Sequence, residues 1–160
     1  MTRYLFNAGP LIALAALDRF DLLGSLDGAA CTTQQVAAEF RAKDSPLRLP
    51  ADLEVLDVPA AGSEAALSMS RLDAGETSVL TAALCLEGRS VVVIDDLKAR
   101  KVARRMGLLL VGTAGLLLRA HDRGLIDVSE AFVKLRAAGY RLSDRLVAGV
   151  LARTSAHRRA

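Results

Sequence analysis

Cysteine, histidine and aromatic side chains are all scarce in this chain of 160 residues. Its two cysteines, Cys31 and Cys85, lie far apart and form no CxxC or Cys/His cluster, which argues against a disulfide framework or a zinc site and reads as buried free thiols. The two histidines, His121 and His157, adjoin no motif, so neither is read as a general base or a ligand. There is no tryptophan, and Tyr4, Phe6, Phe20, Phe40, Phe132 and Tyr140 are scattered, which excludes a platform for stacking bases and assigns most of them to a core. Long apolar runs are missing too: Gly107 to Leu118 falls short of the roughly 20 residues that a bilayer requires. Near the start, Arg3 precedes apolar residues, but Asn7, Gly9 and Pro10 interrupt them and no A-x-A-like cleavage site follows, so a cytoplasmic protein is expected. Neither GxGxxG nor GxxxxGK[ST] occurs, which sets aside dinucleotide and P-loop chemistry.

What is present suits one core. The chain is 52% hydrophobic and has the length of a single domain, so residues 1–160 are read as one unit. Strand-like runs occur at Tyr4 to Phe6, Leu53 to Val58, Val91 to Ile94 and Leu108 to Val111. Helical spacing marks Pro10 to Leu23, Thr33 to Phe40, Ala74 to Leu86, Asp96 to Met106 and a stretch from Thr113 toward His121. This alternation predicts an α/β fold, three-layered and Rossmann-like, with a mainly parallel central sheet and helices on both faces. A C-terminal helical hairpin is expected at about 129–153, with Ser129 and Ser143 as caps and Gly139 as the break. Lys43 to Ala51, with Pro46 and Pro50, reads as a loop.

In a parallel sheet, ligands bind beyond the carboxyl ends of the strands. Asn7 follows the first strand, and Asp95-Asp96 follows Val91 to Ile94, so polar groups reach the same rim. Two carboxylates after an apolar strand are costly as packing and suit a helix cap or a cation. Asp96 reads equally as an N-cap or a site residue. Lys98, Arg100, Lys101, Arg104 and Arg105 crowd into the next helix. They read either as a solvated face or as a track for a nucleic-acid backbone.

The segments Asn7-Ala8-Gly9-Pro10-Leu11-Ile12-Ala13-Leu14, Leu72-Asp73-Ala74-Gly75-Glu76, Val93-Ile94-Asp95-Asp96 and Val111-Gly112-Thr113 resemble PIN-domain nucleases, in the branch of predicted nucleic-acid-binding, VapC-like proteins. The resemblance implies a cluster of carboxylates that binds Mg2+ or Mn2+ and hydrolyses RNA. It assigns the catalytic positions to Asn7, Glu39, Glu76 and Asp95, and metal binding to Glu39, Glu76, Asp95 and the adjacent Asp96. Successive extended residues point to opposite sides, so Asp95 rather than Asp96 is favoured as a direct ligand. RNA, a cognate antitoxin and a second copy of the chain are the implied partners, with a toxin role in a toxin–antitoxin pair. A receiver-type phospho-acceptor domain fits poorly, because such a domain places its acidic pair after the first strand.

Asn7 departs from the family pattern, which has an acid there. The amide keeps the shape of aspartate but removes one charge, so metal affinity should fall. A loss of about 3 kcal/mol in transition-state stabilisation is already a factor on the order of 100 in rate. Weak or absent activity is therefore expected, whether the change is engineered or natural. The alternative reading is a non-catalytic module that binds RNA or protein.

Overall fold

The computed structural model describes residues 1–42 and 48–157. Five strands form one all-parallel sheet: β1 (Thr2–Phe6), β2 (Gly28–Thr33), β3 (Glu54–Leu56), β4 (Ser90–Val93) and β5 (Leu109–Val111), in the order β3-β2-β1-β4-β5. Among the described residues, eight α-helices flank it: α1 (Ala8–Ala16), α2 (Gln34–Ala42), α3 (Ser63–Ser68), α4 (Ala74–Cys85), α5 (Leu97–Arg105), α6 (Thr113–Asp122), α7 (Val128–Ala137) and α8 (Asp144–His157). Leu5, Phe6, Val92, Val93 and Ile94 have no exposed surface, as expected for central strands covered on both faces. Leu11, Leu14, Val79, Leu80, Leu117 and Leu135 bring the helices onto them.

The register sets up the site. Phe6 pairs with Val93, Val93 with Val111, Leu5 with Cys31 and Thr32 with Val55. The strands therefore end nearly level, and the residues that follow β1, β4 and β5 emerge side by side. Because the strands are parallel, each connecting chain must return before the next strand begins, which brings helix N-termini to this same rim.

Several expectations need correction. The strand-like runs of the sequence do not include Gly28–Thr33, and Thr33 opens a run with helical spacing, yet this segment forms β2, between β1 and β3. Its small residues give little β signal, and its place is fixed by tertiary contacts: Thr32 Oγ1 donates to the Phe6 carbonyl at 2.8 Å, and Thr33 Oγ1 lies 2.6 Å from Ser78 Oγ. Thr33 also caps α2, accepting from the Val36 N–H at 3.3 Å. The helix predicted over Pro10 to Leu23 ends at Ala16; Asp18 takes a left-handed φ of 53°, and Phe20–Ser25 continues as a 3-10 helix. Asp127 rather than Ser129 caps α7, accepting from the Ser129 and Glu130 N–H groups. Ser143 does cap α8, through the Leu146 N–H. Helix α3 has no counterpart in the sequence reading. Cys31 is buried, but Cys85, at the end of α4, is exposed. Part of the loop expected over Lys43 to Ala51 lies outside the described residues.

The close approach of β2 to β1 depends on Gly28, where an added Cβ would fall 2.1 Å from the Thr2 carbonyl oxygen. A backbone atom cannot step aside as a side chain can, so Gly28→Ala is expected to cost about 1–3 kcal/mol, the usual range for overpacking. Urea denaturation monitored by circular dichroism checks this, and an unchanged midpoint would contradict it.

Candidate active site

Asn7 follows β1 directly. Its backbone N–H donates to the Val93 carbonyl at 3.0 Å, which extends the β1–β4 ladder by one residue and sets Asn7 level with the end of β4. The side chain is buried, at 9% exposure, and makes no cap bond to α1. Its Oδ1 is buried without a hydrogen-bond partner among the described residues. Leaving such an acceptor unmet costs about 1–3 kcal/mol.

The start of α4 carries a second polar group. Asp73 accepts from the Glu76 N–H at 2.7 Å, and Glu76 Oε2 accepts from the Asp73 N–H at 3.1 Å, forming a reciprocal capping box. An acid three residues ahead of a glutamate at a helix start is the sequence signature of that box, and Asp73 and Glu76 carry it within Leu72-Asp73-Ala74-Gly75-Glu76. Glu39 reaches across from α2, its Oε1 accepting from the Gly75 N–H at 2.9 Å. Gly75 permits this approach, since a Cβ there would sit 2.6 Å from the same oxygen. Glu76 is 8% exposed. Burial pushes its carboxyl above the usual carboxylate range, the Asp73 N–H bond opposes that rise, and the negative charges of Asp73, Asp96 and Glu39 add to it. Glu76 thus lies in the field of three other acids.

Asp95 and Asp96 turn to different partners, as consecutive extended positions require. Asp96 caps α5, with Oδ1 accepting from the Lys98 N–H at 2.8 Å and the Ala99 N–H at 3.0 Å. Asp95 binds the start of α6: Oδ1 accepts from the Thr113 N–H at 2.7 Å, and Oδ2 accepts from the Thr113 hydroxyl at 2.6 Å and from the Tyr140 hydroxyl. Among the acids, Asp96 rather than Asp95 is felt electrostatically by Glu76. Thr113 lies inside a segment the sequence singled out, without a role of its own. Tyr140 carried no signal beyond being one of several scattered aromatics.

A family model described as a PIN domain matches residues 3–156. The chain belongs to the PIN-domain family. No curated protein is similar enough to match it. Membership carries a nuclease-type fold, and the all-parallel sheet with its flanking helices agrees with it.

The donors at the PIN rim are carboxylates and an amide oxygen, the hard oxygen set that Mg2+ or Mn2+ prefers. An orphaned buried oxygen on Asn7 and a buried carboxyl on Glu76 destabilised by like charges both suit a cation in kind. Among the described residues, however, no three Asp, Glu, His or Cys side chains are gathered closely enough to hold an ion as they stand.

Beside these acids runs the basic helix. Ala99 and Ala103 bury one side of α5, while Lys98, Lys101, Arg104 and Arg105 are exposed. None of the four makes an ion pair among the described residues. Arg100 differs from them: its Nη1 donates to the Ile94 carbonyl at 2.7 Å, and burial, then the Arg104 charge, lower its pKa against the opposing pull of Asp95. Arg100 thus braces the end of β4, and the other four cations face solvent. No helix among the described residues is long and apolar enough to cross a membrane.

The raised pKa of Glu76 gives a signed expectation. A group that holds its proton more tightly when folded contributes stability that is full below its unfolded value and is lost as pH rises through the folded one. From pH 4.5 upward, the parent should therefore lose stability relative to Glu76→Gln, which keeps an acceptor for the Asp73 N–H. Parallel thermal melts across pH 4 to 7 check this, and a gap between the two proteins that stays constant with pH would contradict it.

Proposed function

We propose that this PIN protein is a metal-dependent ribonuclease whose activity is impaired by Asn7. The observation that carries this reading is the buried Glu76 carboxyl, placed at the strand-end rim amid the charges of Asp73, Asp96 and Glu39. Proteins do not gather carboxylates in a partly desolvated place without cost, and a divalent cation is the usual means of offsetting it. Asn7, Glu39, Glu76 and Asp95, with Asp96 beside them, would hold Mg2+ or Mn2+. The chemistry supplied by such a cation is charge neutralisation at the phosphodiester and a lower pKa for the attacking water.

The chain's own residues do the rest. The exposed cations of α5 draw in and align the phosphate backbone from the side next to Asp95. The buried strand ends exclude bulk water from beneath the acids. RNA is the proposed substrate. A toxin role with a cognate antitoxin, and a homodimeric state, extend the same proposal.

Asn7 favours one second reading, a PIN module that binds RNA without cleaving it, because a neutral amide stands where charge is wanted. A single comparison separates the two. RNA cleavage with Mg2+ or Mn2+ is measured for the parent, for Asn7→Asp, and for Asn7→Asp combined with Glu76→Gln. On the nuclease reading, Asn7→Asp gains a factor on the order of 100, equivalent to about 3 kcal/mol, and Glu76→Gln removes the gain. If Asn7→Asp shows no metal-stimulated cleavage beyond the doubly substituted form, the binding module stands instead.

A further inference from the structure

Tyr140 lies in the turn between α7 and α8, immediately after Gly139, whose φ of +83° reverses the chain there. It is 45 residues from Asp95 in sequence, yet its hydroxyl donates to Asp95 Oδ2. The same hydroxyl lies 3.4 Å from Thr113 Oγ1. The first turn of α1 closes over this spot as well: a Cβ added to Gly9, two residues after Asn7, would lie 3.5 Å from the Tyr140 hydroxyl and 3.9 Å from Asp95 Oδ2. Tyr140 thus joins the segments that follow β1, β4 and β5.

The acceptor count on Asp95 is nearly complete. An ionised carboxylate offers about four lone-pair sites, and the Thr113 N–H, the Thr113 hydroxyl and the Tyr140 hydroxyl use three of them. Both bonds to Oδ2 are lost if the carboxylate rotates, so the two hydroxyls hold it in one orientation with one lone pair of Oδ1 to spare. A phenylalanine would fill the same space as the Tyr140 ring, so packing alone does not call for the hydroxyl.

We propose that Tyr140 is a positioning residue for Asp95: with Thr113 it fixes the carboxylate so that one lone pair of Oδ1 remains for a cation, making the α7–α8 turn a working part of the PIN site. This rests on reading the rim as a divalent-cation site. Hydrogen bonds behind a metal-binding carboxylate commonly change metal affinity by 10-fold or more.

The experiment titrates Mn2+ into the Asn7→Asp protein and its Tyr140→Phe derivative, following the signal of free Mn2+ by electron paramagnetic resonance, with thermal melts of the metal-free forms as a folding control. Tyr140→Phe should keep its melting temperature within a few degrees yet bind Mn2+ about tenfold more weakly. The same substitution should add nothing once Asp95 is already Asn. In RNA cleavage, kcat should fall while KM is unchanged, because α5 holds the strand. Equal Mn2+ affinity with and without the hydroxyl would overturn the proposal and leave the cation site standing. If Tyr140→Phe fails to fold, Thr113→Ala and Thr113→Ser take its place: loss of affinity in the alanine form alone supports the hydroxyl clamp, and equal affinity in both overturns it. If the Asn7→Asp protein binds no Mn2+ with Tyr140 intact, the cation reading itself fails and this proposal fails with it.

Discussion

Backbone N–H groups at the starts of helices hold the acids of this protein where they are. Asp95 accepts from Thr113 at the head of α6, Asp96 from Lys98 and Ala99 in the first turn of α5, and Glu39 from Gly75 in the first turn of α4. Asp73 and Glu76 satisfy one another's N–H groups at the start of α4. Each of these donors lies at the positive end of a helix dipole, which favours an anion beside it by about 0.3–1 kcal/mol at the surface. That local stabilisation lets like charges share a rim they would otherwise leave. All three helices start at this rim because the sheet is parallel throughout, so the fold supplies the place and the helix N-termini make it tolerable.

The arrangement is also incomplete. Asn7 sits at the end of β1, buried beside the end of β4, with an oxygen that no described residue satisfies. An aspartate there would add a charge to a rim already crowded with acids, and without a cation that would be costly. Asparagine keeps the shape and avoids the charge, at the expense of the affinity that the charge would give. On the proposed function, stability and metal binding would pull this position in opposite directions.

The parts of the fold that declare themselves in sequence are those with strong periodicity or sharp punctuation. Val91 to Ile94 is apolar throughout and ends in two aspartates, so both the strand and the rim beyond it could be read. Strand β2 could not, because Gly28-Ala29-Ala30 carries no β preference and acquires its place by backbone contact with Thr2. The family assignment was legible from short segments spread along the chain, and Glu39, Glu76, Asp95 and Asp96 stood out through it as candidate site residues. What each carboxylate touches was not: Thr113 is 18 residues from Asp95 and Tyr140 is 45, and hydrogen bonds at that separation follow from tertiary packing. Glu39 was legible as an acid on a helix, but its bond to Gly75 depends on a missing Cβ 36 residues away.

The proposed function requires the carboxylates at the strand-end rim to hold a divalent cation. The most direct test is a crystal structure of the protein grown with Mn2+, with the ion located by its anomalous scattering. An anomalous peak is expected at the rim, with oxygen ligands drawn from Asn7, Glu39, Glu76 and the Asp95-Asp96 pair. A well-ordered rim that carries no peak at millimolar Mn2+, or Mn2+ bound only elsewhere on the chain, would contradict it.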